Sequence, residues 1–320
     1  MTRLGYQIPN FTYPNTQPAE IFDKVVAQAR AAEESGYDRV MVMDHFYQLP
    51  GIGAPEEPMF ECYSMLAALA QHTRTVRLSA LVTGNTYRNP AMLAKTVTTL
   101  DHVSHGRATL GIGAGWFELE HQAFGFHFGS IAERFERLEE ALRIIKPMLR
   151  GERVTLDGEH YQTIDVVNSP PSVSRIPIMI GGQGEKKTLR MVAQYADESN
   201  LTGTVEDIPR KLEVLAEHCE RLGRDRSEIK VTKLLLVCVA PTMEEALADL
   251  DRIAEVKGLS DTAKGFVKKS ILFGDRDTVG EQLTEAVGKG LDGITVDLPV
   301  NGDNVERVAL LGEIASKALG

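Results

Sequence analysis

Two adjacent side chains able to hold or move a proton, Asp44 and His45, close the apolar run YDRVMVMDHF. Histidine changes charge near neutral pH, so His45 at a strand end is a candidate general acid or base, with Asp44 as the group that orients it. A lone histidine is more commonly a hydrogen-bonded structural residue; the position directly after MVMD favours chemistry. A second stretch, RATLGIGAGW at 107–116, passes from strand into Gly111, Gly113 and Gly115 and then the only tryptophan, Trp116. Glycines so spaced allow a sharp turn and a close ligand, and Trp116 offers a wall for a flat ring. A third group, Gly181, Gly182, Gln183 and Gly184, precedes Lys186, Lys187 and Arg190. Peptide N–H groups at a helix start, with positive charge beside them, suit a phosphate. His121 and His127 lack the spacing of metal ligands, and no metal is expected.

These groups need rigid elements beneath them, and the chain supplies short apolar runs alternating with amphipathic segments. Leu4 to Pro9 reads as a strand, and the helix after it, Ala19 to Ser35, carries Ile21, Val25, Ala29 and Ala32 on one face and stops at Gly36. About eight such strands, each followed by a helix, predict a (β/α)8 TIM barrel with insertions rather than an antiparallel or open sheet. A doubly wound sheet is disfavoured because the G-x-G-x-G lies mid-chain and lacks the third glycine of the dinucleotide fingerprint. The reading is one domain over 1–320. A β-hairpin insertion is expected near 151–175, signalled by Asp157-Gly158, and a second insertion near 255–273.

In such a barrel, functional groups sit at the carboxyl ends of the strands. Asp44 and His45 follow the second strand, Thr83 to Asn85 the third, Gly113 to Trp116 the fourth, Gly181 to Gly184 the fifth and Asn200 to Thr202 the sixth. Asp101, His102, His105 and Arg107 precede the fourth strand and belong to the opposite, structural face.

Composition sets the outer bounds. The 320 residues are 43% hydrophobic and 25% charged, enough for a large core. A net charge of -10 argues against nucleic acid or an anionic membrane surface and leaves a small molecule as partner. Cys62, Cys219 and Cys238 form no CxxC pair and suit a reducing compartment. The first residues show no leader pattern, and the longest apolar run, LLLVCVA, is far short of a membrane span, so the expectation is a cytoplasmic protein.

Together the pieces YDRVMVMDHF, TYRNPAMLAKTVTTLDHVSHGRATLGIGAGWFELEHQAFG, RFERLEEALRIIKPML and PIMIGGQGEKKTLRMVAQYADESN resemble the bacterial luciferase-like superfamily, in its branch using the deazaflavin coenzyme F420. The resemblance implies a barrel, usually dimeric, with a flavin or deazaflavin ring in its mouth. It implies Asp44 and His45 beside the reactive face of the ring. It also implies a strand-three bulge, often a non-prolyl cis peptide, at Leu81, Val82 and Thr83 behind the ring, and Gly181 and Gly182 at the cofactor phosphate. One departure stands out. The deazaflavin-dependent glucose 6-phosphate dehydrogenases carry a glutamate after the strand-four glycines and an aromatic after the Asp-His pair, where this chain has Trp116 and, approximately, Leu49. The sugar-phosphate activity therefore does not transfer, and an acid must come from His45, Glu118, Glu120 or solvent. The implied activity is hydride transfer between F420 and a small organic substrate. An FMN-dependent monooxygenase and a non-catalytic flavin- or deazaflavin-binding protein are the alternatives. F420 carries a phosphodiester and a glutamate tail, so the cations Lys186, Lys187 and Arg190 favour it over FMN.

Overall fold

Runs of Val, Ile, Leu and Met without polar alternation form strands covered on both faces, and the segments between them form helices that bury one stripe. The computed structural model describes residues 3–320. Its strands are β1 (Arg3–Ile8), β2 (Arg39–Val42), β3 (Arg77–Ala80), β4 (Thr83–Gly84), β5 (Ala108–Gly113), β6 (Val154–Asp157), β7 (Gln162–Val166), β8 (Ile178–Gly181), β9 (Glu198–Leu201), β10 (Lys230–Val239), β11 (Leu272–Gly274) and β12 (Gly293–Asp297). Its α-helices are α1 (Ile21–Glu34), α2 (Cys62–His72), α3 (Pro90–Val103), α4 (Glu118–Phe124), α5 (Ile131–Leu149), α6 (Thr188–Tyr195), α7 (Ile208–Arg221), α8 (Met243–Val256), α9 (Asp261–Ser270), α10 (Arg276–Gly288) and α11 (Val305–Leu319).

Parallel pairing runs β12–β1–β2–β3–β5–β8–β9–β10 and returns from β10 to β12, closing a (β/α)8 barrel. Two-residue β4 pairs with the end of β5 beyond the point where β3 leaves it, and the break between β3 and β4 holds a cis peptide at Leu81-Val82. Strand β11 lies outside the ring beside the upper part of β10. The antiparallel hairpin β6–β7 rests on α5, where the Glu140 carboxylate accepts the N–H groups of Glu159, His160 and Tyr161.

The barrel is filled in layers. Deepest, Arg39 and Glu198 form a buried bidentate pair at 2.6 and 3.1 Å. Above them Asn200 donates to Thr232 and Thr295, and the next inward residues include Gln7, Leu81, Leu234 and Asp297. Gly111 leaves no room for a side chain, because a Cβ there would collide with the Ala80 carbonyl oxygen of the neighbouring strand. On the opposite face, Arg107 donates to the carbonyls of Ala70, Thr73, Val76 and Ser104, and the Asp101 carboxylate accepts from Ser174. Both side chains hold connections together.

The first long helix begins at Ile21, two residues after the expected Ala19, because Pro18–Glu20 form a separate 3-10 turn. Helix α10 opens at Arg276, where Asp275 takes the capping position and accepts the Thr278 N–H.

Candidate active site

Asp44 and His45 follow the end of β2, and their side chains go to different partners. The Asp44 carboxylate turns toward α3, accepting from Gly84 N at 3.1 Å and from both terminal nitrogens of Arg88 at 2.6 and 2.9 Å. It therefore does not orient His45, as adjacency suggested. That task belongs to Glu120, on α4, whose Oε2 lies 2.8 Å from His45 Nδ1. Glu120 is 0% exposed, and its other oxygen accepts the N–H groups of Phe46 and Tyr47 at 2.5 and 2.9 Å. The Tyr87 hydroxyl donates to Oε2 at 2.5 Å. An anionic oxygen at Nδ1 places the hydrogen there and leaves Nε2 as the imidazole's free acceptor.

The electrostatics follow from burial and partners. Burial works to raise the Glu120 carboxyl, but hydrogen bonds from His45, Tyr87 and the Tyr47 N–H hold it below the ordinary glutamate value. Burial pushes the Asp44 carboxyl up despite Arg88, and Asp44 in turn drives the Arg88 guanidinium further toward its charged form against its own desolvation. Tyr87 is pushed up by burial and then by the adjacent Glu120, so it remains a donor.

These groups border a cavity of about 570 Å³ at the carboxyl ends of the strands. One wall is the Leu81-Val82 peptide with Thr83, held by Gln7 Nε2 donating to Leu81 O at 3.1 Å and by the Tyr63 hydroxyl 2.6 Å from Thr83 Oγ1. Gly113 and Gly181 flank it, and a Cβ on either would come within 3.0 or 2.9 Å of Val82. Trp116 stands at the mouth, 58% exposed, stacked on Phe117 at 5.1 Å and edge-on to His45 at 5.8 Å. The remaining surface is largely apolar, with Met43, Leu49, Ile52, Phe135 and Leu236 among its residues.

The structure thus brings Asp44, His45, Leu81, Val82, Thr83, Gly113, Trp116, Gly181 and Gly182 into one wall system. Gln183, Gly184, Lys186 and Lys187 are not part of it. Helix α6 begins at Thr188, not at the lysines, so Thr188 is the helix-start residue in the wall while Glu185 to Lys187 form a turn outside. Gln183 lies against Gly203, and Lys187 Nζ sits 5.5 Å from the centroid of the Phe135 ring, at the rim. Arg190 is bound to Glu139 at 3.0 and 2.6 Å and is not available to a ligand. Glu118 is exposed on α4, which leaves Glu120 as the glutamate at His45.

Sequence reasoning missed Arg134. It reaches the cavity from the first turns of α5, donating to Gly115 O at 3.2 Å and Gly129 O at 2.8 Å, with its guanidinium 3.9 Å from the Phe128 ring centroid. Among the described residues it has no carboxylate partner. The one signal was its place four residues after the Ser130 helix cap. A cavity with Val82 in its wall and with Gly181, Gly182, Thr188 and Arg134 also lining it suits a planar ring with an anionic chain.

The chain matches the model of a family described as luciferase-like monooxygenase over residues 2–293. The F420-dependent glucose-6-phosphate dehydrogenase of Microbacterium testaceum is 30% identical over 252 residues, 77% of this chain and 70% of that one. The 5,10-methylenetetrahydromethanopterin reductase of Archaeoglobus fulgidus is 24% identical, with 89% of this chain and 92% of that one covered. The solved structure of the coenzyme F420-dependent tetrahydromethanopterin reductase from Methanopyrus kandleri shares the fold, with a TM-score of 0.78, 20% identity and coverage of 100% and 99%.

Proposed function

This chain belongs to the luciferase-like monooxygenase family, and from that premise we propose a coenzyme F420-dependent oxidoreductase that moves hydride between the deazaflavin and a small organic substrate. The observation that carries the reading is His45, fixed through Nδ1 by the buried Glu120 at a largely apolar cavity. When bound, F420 supplies the two-electron carrier.

The protein's part is positioning and proton handling. For an alcohol substrate, hydride leaves the carbinol carbon while His45 Nε2 accepts the hydroxyl proton, and the adjacent Glu120 stabilises the imidazolium formed. The reverse direction returns that proton to a carbonyl oxygen. Val82 and the glycines beside it support one face of the ring, and apolar side chains exclude water from the other. Gly181, Gly182, Thr188 and Arg134 hold the phosphate-bearing chain, with Lys187 at the rim and Lys186 exposed in the same turn for the further negative charge of the tail. Trp116 puts an indole where the deazaflavin-dependent glucose 6-phosphate dehydrogenases carry a glutamate, and an indole cannot donate a proton as a carboxylic acid can, so the sugar-phosphate activity does not carry over from the resemblance.

The reading also takes the enzyme to be a cytoplasmic homodimer, supported by the family resemblance and by exposed apolar side chains at Leu119, Phe124 and Ile131. Sedimentation would then report twice the 35.2 kDa of one chain.

Incubating the protein with oxidised F420 and a panel of small apolar alcohols, and following loss of the cofactor's absorbance, tests the activity. At least one alcohol reduces F420 at a rate proportional to enzyme. Turnover only with reduced FMN and oxygen would replace this reading with the monooxygenase one.

A further inference from the structure

At the floor of the cavity stands a carboxyl group with no partner. Asp297 ends β12, is 2% exposed and lines the cavity, yet neither of its oxygens receives a hydrogen bond from any described residue, and Oδ1 is fully buried. It is registered directly opposite Gln7 on β1 and Leu236 on β10. Gln7 uses its amide N–H on the Leu81 carbonyl, and its own carbonyl oxygen accepts from none of the described residues. Nothing in the fold requires an acid there. The other interior carboxylate, Glu198, has Arg39 for a partner, and Asp44 has Arg88. Burial alone pushes the Asp297 carboxyl well up, with no cation to oppose it. A carboxyl in that condition offers one O–H donor and one C=O acceptor side by side. The side chains of Leu81, Leu234 and Leu236, which line the same cavity, are apolar.

We propose that Asp297 and Gln7 form a polar end-stop in the cavity floor that pairs with the edge of a planar heterocycle carrying adjacent carbonyl and N–H groups, as a lactam or imide does. Asp297 donates to the ring carbonyl and accepts from the ring N–H, and the Gln7 carbonyl oxygen shares that N–H as its second acceptor. The edge belongs to the deazaflavin, if the F420 reading above holds, or to a heterocyclic substrate. The unpaired carboxyl is a cost in the empty protein that the ligand relieves.

Fluorescence titration of F420 and FMN into wild type, Asp297→Asn and Asp297→Leu, together with the melting temperature of each protein without ligand, tests this. Asparagine keeps a donor beside an acceptor and holds affinity within about threefold. Leucine loses both and weakens the bound ring by about tenfold or more. The unliganded Asp297→Leu protein melts about 2–4 °C higher, because an unsatisfied group is gone. Unchanged F420 affinity with a substrate KM raised about tenfold upholds the end-stop and assigns the edge to substrate. Unchanged affinity and unchanged KM, or a lower melting temperature for Asp297→Leu, overturns it. Failure of the wild type to bind F420, with FMN weakened by Asp297→Leu, would sink the F420 reading and leave the end-stop standing.

Discussion

His45 sits beside one carboxylate in the sequence and touches another in space. The DH pair was legible as chemistry because it closes an apolar strand, but its wiring was not. The two side chains go to different partners, and the partner of His45, Glu120, comes from 75 residues downstream. Glu120 was visible only as one of several possible acids, beside Glu118, with nothing in the sequence to tie it to His45. Arg134 was hidden because a cation within a helical stripe is usually solvated. Replacing His45 with alanine should lower kcat about 100-fold or more while changing the F420 dissociation constant far less, since the ring nitrogen handles a proton and anchors nothing. Equal losses in both would make it a binding residue. Glu120→Gln adds a pH signature. The folded carboxyl lies below its ordinary value of 4.5, so its stabilising contribution is complete above pH 4.5 and is lost as pH falls through the folded value. Urea unfolding of wild type and Glu120→Gln should therefore differ most near neutrality and converge in acid. A difference that stays constant down to pH 3 would contradict the assignment.

At the scale of elements, strand and helix alternation could be read because barrel strands buried on both faces are continuous apolar runs, and Asp157-Gly158 marked a turn that the structure places between β6 and β7. The start of α6 could not. Its N-cap, Lys187, makes no side-chain cap, so no sequence signal separated the lysine turn from the helix at Thr188. Glycines that looked alike also divide into two kinds. A Cβ at Gly111 meets the Ala80 carbonyl, a backbone atom that can move only if β3 and β5 part, whereas Gly125 faces open space and needs only its positive φ of 74°. Gly111→Ala should cost ~3 kcal/mol or more in urea unfolding. Gly125→Ala should cost about 1 kcal/mol. Similar losses at both sites would mean that the strand approach around Gly111 is looser than the geometry gives.

For the whole molecule, a net charge of -10 must be overcome locally if an anionic cofactor is to bind, and the cations that can do so are few. Arg134 lines the cavity with no carboxylate partner among the described residues, Lys187 stands at the rim over Phe135, Lys186 is exposed in the turn before it, and Arg190 is committed to Glu139. Replacing both lysines with alanine should weaken F420 more than FMN, because only F420 carries charge beyond its phosphate, and the loss should shrink as salt rises. Equal weakening of the two would place the tail elsewhere. The family and the barrel both bear on the cofactor, but its choice is the claim on which the chemistry depends. It is tested most directly by titrating the unmodified protein with oxidised F420 and with FMN under one set of conditions and comparing the two dissociation constants. F420 binding more tightly is the predicted result; tighter binding of FMN would contradict the account.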